Sequence, residues 1–140
     1  MKILLTNVFV DDVPKAFKFY TEILGFKEKI YMPEMNLAVV VSPEDPEGTA
    51  LLLEPNNAPH VETYQKIILE KRIPIIVLGI ANVQREYQKL KDLGIVFRQP
   101  PKHTEWGIVA IFEDTCGNLI EIHEMNTCEE FIKNFSGDVL

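Results

Sequence analysis

The strongest constraint on the fold of this chain is an internal repeat. The turn Glu44-Asp45-Pro46-Glu47-Gly48 matches Glu113-Asp114-Thr115-Cys116-Gly117 at an offset of 69 residues. An apolar stretch follows each turn and ends in a polar residue, Glu54 in the first copy and His123 in the second. When the same elements recur in the same order, the chain holds two copies of one supersecondary unit.

The first copy reads as a strand, a helix and three further strands. Residues Ile3–Val10 are apolar and β-branched, which predicts a strand. Asp12 and Pro14 then mark a helix start, because both suit a first turn whose N–H groups lack partners. The apolar residues that follow recur at helical spacing: Val13, Ala16, Phe17, Tyr20, Ile23 and Leu24. Further strands are predicted at Phe26–Met32, Leu37–Ser42 and Thr49–Glu54.

The second copy repeats this order at an offset of 70 through its helix. A strand is predicted at Ile73–Ile80, and Asn82 can cap a helix that Gly94 closes. The inner stripe of that helix is Val83, Tyr87, Leu90 and Leu93. Further strands are predicted at Ile95–Arg98, Ile108–Phe112 and Asn118–His123.

These elements predict one α+β domain over residues 1–140. It comprises a first βαβββ module (1–55), a linker (56–72), a second βαβββ module (73–125) and a C-terminal tail (126–140). The two modules are expected to form a curved mixed-sheet cup with the helices on the outer face. A short linker helix is predicted at Val61–Lys71 with Tyr64, Ile67 and Ile68 inward, and a tail helix at Glu129–Asn134.

Composition narrows the classes of partner. Hydrophobic residues make up 46% of the 140 residues, and the formal net charge is -7. An acidic chain lacks the basic surface that nucleic acids and anionic membranes require, so neither partner is expected. No apolar run is long enough to span a bilayer, and no secretory signal is recognisable, so a cytoplasmic location is expected. Cys116 and Cys128 match no zinc motif and are interpreted as reduced thiols.

Three segments resemble the vicinal oxygen chelate superfamily, which includes glyoxalases, bleomycin-resistance proteins and extradiol dioxygenases. The first is Val8-x-Val10-x-Asp12 followed by Phe19-Tyr20-x-x-Ile23-Leu24-Gly25-Phe26. The second is Leu90-x-x-Leu93-Gly94, and the third runs from Trp106-Gly107 through Phe112-x-Asp114-x-x-Gly117-Asn118-x-Ile120-Glu121. The resemblance covers roughly residues 1–125 and implies the paired βαβββ fold. Its motifs are mostly structural, so they say less about chemistry.

The resemblance also implies where a metal would bind. Metal-dependent members place one ligand, usually His or Glu, on the first and on the last strand of each half. Here the first-strand positions are Leu5 and Ile75, and the last-strand position of the first half is Leu52 or Leu53. Only Glu121 keeps a ligand-type side chain, so no metal cofactor is expected. A displaced divalent-metal site on Glu54, Glu121 and His123 stays open as an alternative.

Two functions follow as expectations, and a structural or regulatory dimer with no small ligand stays open as a third. The first is a homodimeric binder that holds a small apolar or aromatic molecule in the cup. The expected ligand-binding residues are Asn7, Phe9, Tyr31, Leu53, Trp106, Glu121 and His123. The alternative is a metal-dependent lyase or dioxygenase-type enzyme with the displaced site, or one that uses Glu121 as a general acid or base. His103 is expected in a Pro100–Glu105 loop beside Trp106.

Overall fold

A computed structural model describes residues 1–126 of the chain. The elements of the first repeat are β1 (Leu5–Val10), α1 (Val13–Lys18), β2 (Lys27–Met32), β3 (Leu37–Val41) and β4 (Ala50–Pro55). Helix α2 (Pro59–Glu70) follows. The elements of the second repeat are β5 (Ile76–Gly79), α3 (Val83–Asp92), β6 (Phe97–Thr104), β7 (Gly107–Glu113) and β8 (Leu119–Met125). The tail helix expected at Glu129–Asn134 lies outside the described residues.

The eight strands of this described part form two four-stranded sheets of the same topology. Their orders are β1-β4-β3-β2 and β5-β8-β7-β6. In each sheet the first and last strands of the repeat pair in parallel, and the remaining pairs are antiparallel. The α+β class and the two βαβββ modules are therefore confirmed.

By packing, the chain divides into two compact units. The first unit is Met1–Ile73 together with Asp114–Asn118, and the second is Pro74–Glu113 together with the described residues 119–126. The turn between β7 and β8 thus belongs to the first unit although its sequence lies in the second repeat. This assignment has a physical basis in the buried polar network described below.

In the first unit, α1 packs on one face of its sheet, which we call the helix face of sheet 1. Asp12 caps α1 by accepting a hydrogen bond from the Lys15 N–H at 2.9 Å. A π-helical turn, Phe19–Ile23, extends α1 and ends before Gly25, whose φ of +79° favours glycine. The buried residues of this layer are Val8, Val10, Val13, Ala16, Tyr20, Ala38, Val40, Leu51 and Leu53.

In the second unit, α3 packs on the helix face of sheet 2. Its N-terminus has two caps, because the Val83 N–H donates to the Glu124 carboxylate at 2.9 Å and the Arg85 N–H donates to the Asn82 side chain at 2.8 Å. The buried residues of this layer are Val83, Leu90, Ala110, Phe112, Ile120 and Ile122. Tyr87 on α3 meets Phe97 on β6 edge to face, with ring centroids 4.6 Å apart.

The prediction of a loop at Pro100–Glu105 is wrong. Strand β6 continues to Thr104, and His103 pairs with Ile108 of β7. Two consecutive prolines are tolerated because β6 ends the strand order of its sheet and the pairing register shifts between Gln99 and Lys102. His103 is therefore an exposed strand residue and not part of a loop.

The linker helix exists, but its predicted orientation is wrong. Tyr64 and Ile67 are 60% and 45% exposed, whereas Gln65 is buried. The Gln65 amide donates to the Phe9 carbonyl at 2.8 Å and to the Asn118 side chain at 2.9 Å. It accepts from Asn56 at 2.5 Å. Polar partners inside the first unit, and not an apolar stripe, therefore set the rotation of α2.

The same network holds Asp114 in the β7–β8 turn. Its carboxylate accepts from the N–H groups of Cys116 and Asn118 at 2.8 and 2.9 Å, from the Asn118 amide at 2.7 Å and from the Tyr20 hydroxyl at 3.2 Å. Burial raises the pKa of Asp114, although these hydrogen bonds act in the opposite direction. Burial likewise raises the pKa of the Cys116 thiol to about 12, so this cysteine is an inert core residue.

The Asn118 amide also donates to the Phe9 carbonyl at 2.9 Å. Two buried amides, those of Gln65 and Asn118, therefore converge on one backbone oxygen of β1. This network fixes the strand that carries Asn7 and Phe9, which were expected to bind a ligand.

Candidate functional site

The candidate site lies on sheet 2, on the face opposite α3, which we call the opposite face. Glu121 and His123 lie two residues apart on β8, so their side chains project from the same face of the strand. The side chains are 21% and 17% exposed, respectively. Ile120 and Ile122, between and beside them, point into the core under α3.

The imidazole ring of His123 is held at both nitrogens. Nδ1 lies 3.5 Å from Glu121 Oε1, and Nε2 lies 3.2 Å from the backbone carbonyl oxygen of Trp106. A doubly protonated ring would donate toward both oxygens, whereas the neutral tautomer with its proton on Nε2 would donate to Trp106 alone. The structure thus brings together three of the residues expected from the sequence: Trp106, Glu121 and His123.

Apolar side chains flank Glu121 on this face. Its neighbour across the β5–β8 ladder is Val77, and its neighbour across the β7–β8 ladder is Ile111. Val77 is 58% exposed, and Ile75, two residues earlier on the same face, is 36% exposed. Apart from the long contact with His123, the Glu121 carboxylate makes no hydrogen bond within residues 1–126. It can therefore accept hydrogen bonds from a ligand.

The opposite face of sheet 1 carries a second polar pair. The Asn7 amide donates to the Glu54 carboxylate, and Phe9 lies directly across the ladder from Glu54. Around this pair the face is apolar, with a buried cluster of Val39, Val41 and Ala50 against which Leu37 and Leu52 pack. Asn7 is thus the polar residue expected on β1, and its hydrogen-bond partner is Glu54.

Two residues expected to bind a ligand lie on the helix face of sheet 1 instead. Leu53 is fully buried beside Val8. Tyr31 stacks on Phe17 of α1 with ring centroids 4.1 Å apart and an interplanar angle of 6°. Their placement fits core packing, because an alternating strand cannot direct Leu53 and Glu54 to the same side. We assign neither residue to the candidate site.

The strand registers also settle which residues occupy the metal-ligand positions that the resemblance implies. Asn7 pairs with Leu52 in sheet 1, and Val77 pairs with Glu121 in sheet 2, so Leu52 and not Leu53 corresponds to Glu121. The four positions are therefore Leu5, Leu52, Ile75 and Glu121. Three of them carry hydrocarbon side chains with no lone pair to donate, so these residues do not fit the metal site of the metal-dependent members.

A displaced metal site has limited support from the side chains. Glu121 and His123 lie close enough to share an ion, but a stable site needs at least three protein ligands. No group of three or more His, Cys, Asp or Glu side chains within residues 1–126 is arranged to hold a metal ion. Glu54 is engaged by Asn7 on sheet 1.

Comparison with known proteins supplies the family. The model of the Glyoxalase/Bleomycin resistance protein/Dioxygenase superfamily matches residues 2–122. The chain belongs to this superfamily. The chain is also 45% identical over 124 residues to the uncharacterized protein YurT of Bacillus subtilis (strain 168), a match that covers 87% of this chain and 98% of YurT.

Solved structures share the fold of this chain. The crystal structure of UcmS2 has a TM-score of 0.74 and 25% identity, and the match covers 89% of this chain and 98% of UcmS2. TnmS3, an antibiotic binding protein from Streptomyces sp. CB03234, has a TM-score of 0.68 and 24% identity, with 90% of this chain and 97% of TnmS3 covered. Within the described residues, no helix is both long and apolar enough to cross a membrane.

One residue of the site was missed at the sequence level. Gly79 lies across the β5–β8 ladder from His123, and a side chain at this position would project from the same face as His123. The signal for it was present, because the offset of 70 residues places Gly79 on Phe9, and a glycine in place of an aromatic residue within a strand marks a bulge or a close approach.

Proposed function

We propose that this chain binds a small apolar or aromatic molecule without the metal that metal-dependent members of its superfamily use. One observation carries the proposal. Of the four positions that correspond to metal ligands, Leu5, Leu52 and Ile75 are hydrocarbon and only Glu121 is a carboxylate. Replacing donors with hydrocarbon removes Lewis-acid chemistry and leaves an apolar lining, which is what the contact surface of an apolar ligand requires.

In this proposal Glu121 fixes the orientation of the ligand. It is a carboxylate among Val77 and Ile111, with an unused capacity to accept hydrogen bonds. A charged acceptor in apolar surroundings discriminates between ligands more strongly than a neutral one. Asn7, Phe9, Trp106 and His123 remain proposed ligand contacts.

The antibiotic-binding neighbour supports this function at the level of the fold. TnmS3 is an antibiotic binding protein and shares the two-module architecture at a TM-score of 0.68. The same fold can therefore serve sequestration of a small molecule. We further propose that the protein acts as a cytoplasmic homodimer with no nucleic-acid or membrane partner.

A second candidate function is an enzyme. The contact of 3.5 Å between His123 Nδ1 and Glu121 Oε1 favours it, since a carboxylate–imidazole pair can move a proton. A lyase or dioxygenase-type reaction would in addition require a divalent metal on Glu54, Glu121 and His123. The lack of a third ligand beside Glu121 and His123 makes this candidate weaker.

The test of the proposed function is a thermal-shift screen of the EDTA-treated protein against a library of small aromatic compounds. A ligand that binds only the folded state increases the free energy of unfolding, by about 2.7 kcal/mol when its concentration is 100 times Kd. The melting temperature rises as a result. Concentration-dependent shifts are expected for a subset of the compounds. If the treated protein responds to none, and responds after a divalent metal is added back, the enzyme candidate replaces the binder.

A further inference from the structure

Beside His123, the opposite face of sheet 2 has an uncovered stretch of backbone at Gly79. In the β5–β8 ladder, Gly79 pairs with His123 and Val77 pairs with Glu121. No described atom lies within 4 Å of the position that a Cβ on Gly79 would occupy. In the first repeat, the corresponding ladder position beside Glu54 is filled by Phe9.

The His123 ring does not cover this backbone. Its Nε2 reaches the carbonyl of Trp106, which lies in the turn between β6 and β7. In the strand order β5-β8-β7-β6, that turn lies on the side of β8 away from β5. The ring is therefore held toward β7, and no part of residues 1–126 covers the surface above Gly79. A glycine within a strand is weakly packed, and an aromatic ring laid across it restores the lost contact.

The side chains around the surface above Gly79 determine which kind of ligand could bind there. Ile75, just before β5, and Val77, within it, form an exposed apolar edge, at 36% and 58% exposure. Next to them is the Glu121 carboxylate, whose charge repels anions and whose oxygens accept hydrogen bonds. The surface thus offers a flat apolar floor beside a charged acceptor, a combination that suits a planar group carrying a donor.

We infer that the ligand of this protein is an uncharged planar aromatic compound with a hydrogen-bond donor, of the phenol class. Its ring lies on Gly79 next to the His123 imidazole, and its hydroxyl donates to Glu121. This inference rests on the proposed function and adds to it both the chemical class of the ligand and Gly79 as the residue that selects a flat ring.

Four matched probes test the inference by isothermal titration calorimetry: 2-naphthol, decahydro-2-naphthol, 2-methoxynaphthalene and 2-naphthoate. Relative to 2-naphthol, the decahydro form loses planarity and 2-methoxynaphthalene loses the donor, whereas 2-naphthoate replaces the neutral donor with an anionic acceptor. We expect 2-naphthol to bind most tightly. Removing its donor should cost roughly 10- to 150-fold in Kd, the range for a hydrogen bond to a charged group. The anion 2-naphthoate should bind most weakly, because Glu121 repels it.

Two substitutions test the role of Gly79. In Gly79→Val the branched side chain occupies the floor, so the affinity for 2-naphthol should fall roughly 5- to 150-fold, as overpacking does. Gly79→Ala adds one methyl group and should cause a smaller loss. The melting temperature of unliganded Gly79→Val should hold or rise, since valine favours strands and meets no described atom. A loss of affinity is then not a loss of fold.

Each contrary outcome overturns a different part of the inference. Equal affinity for 2-naphthol and its decahydro form, or unchanged affinity in Gly79→Val, removes the flat-ring site while the proposed function stands. Tightest binding of 2-naphthoate removes the donor class. If Gly79→Val instead abolishes self-association in sedimentation and leaves 2-naphthol binding intact, a second copy of the chain covers this face. If none of the four probes binds while compounds of the aromatic library still raise the melting temperature, the inference fails and the proposed function stands; if neither the probes nor the library bind, both fail.

Discussion

Replacing Asp114 with alanine is expected to lower the free energy of unfolding by about 3–5 kcal/mol. The Asp114 carboxylate is fully buried and accepts hydrogen bonds from two backbone N–H groups, the Asn118 amide and the Tyr20 hydroxyl. Alanine would leave the two backbone N–H groups and the Tyr20 hydroxyl without this acceptor, and the Asn118 amide would keep only its hydrogen bond to the Phe9 carbonyl. Urea denaturation monitored by circular dichroism measures the loss.

The repeat supplies a matched control for this substitution. Asp45 occupies the same place in the first turn but is exposed and makes no side-chain hydrogen bond to the described residues. Asp45→Ala should therefore change stability by no more than about 0.5 kcal/mol. If Asp114→Ala lowers the free energy of unfolding as little as Asp45→Ala does, the buried network does not stabilise the first unit.

Asp114 also predicts a pH dependence of stability. Burial raises the pKa of Asp114 above its ordinary value of 3.8, so the folded state keeps its proton at pH values where the unfolded state has lost it. The contribution of Asp114 to stability is therefore greatest below about pH 3.8 and declines as the pH rises through the folded pKa. The stability deficit of Asp114→Asn relative to the unsubstituted protein should shrink between pH 4 and pH 7. A deficit that grows over this range would contradict the raised pKa.

Substituting Glu121→Gln is expected to weaken the binding of 2-naphthol by ~1.5–3 kcal/mol, or roughly 10- to 150-fold in Kd. Glutamine keeps the shape of the side chain and removes its charge. Stability should hold or rise, because a carboxylate among Val77 and Ile111 is costly to desolvate. Calorimetric titration measures the affinity, and thermal melting of the unliganded variant measures the stability.

Glu113→Gln is the control for this substitution, since Glu113 pairs with Arg98 on the neighbouring strand and has no proposed ligand contact. It should leave Kd unchanged. The double variant with His123→Ala shows whether the two site residues act together. A lower melting temperature with unaltered binding in Glu121→Gln would assign Glu121 a structural role.

The repeat, the order of the elements along the chain and both helix caps could be predicted because they depend on local signals. Asp12 and Asn82 act as caps in the structure, and the alternation along β8 places Glu121 and His123 on one face. Element order followed from turns and apolar periodicity, which need no knowledge of distant partners. The same reasoning left Leu52 and Leu53 unresolved, because a one-residue shift moves a side chain to the other face and only the ladder register fixes it.

Features that depend on tertiary partners could not be predicted. The rotation of α2 follows from Gln65 bonding to Phe9 and Asn118, residues that are distant in sequence. The persistence of β6 through Pro100 and Pro101 depends on pairing with β7, which overrides the local breaker signal. The offset of the repeat marks Gly79 in the sequence, but the uncovered surface above it depends on the direction of the His123 ring, which the Trp106 carbonyl determines.

Titration of 2-naphthol into the protein after EDTA treatment, and again after addition of Zn²⁺, Ni²⁺ or Fe²⁺, is the direct test of binding without metal. Leu5, Leu52 and Ile75 offer no donors, so we expect the same Kd in every condition and less than stoichiometric metal by mass spectrometry of the purified protein. Binding that disappears with EDTA and returns with one metal ion per chain would contradict the account.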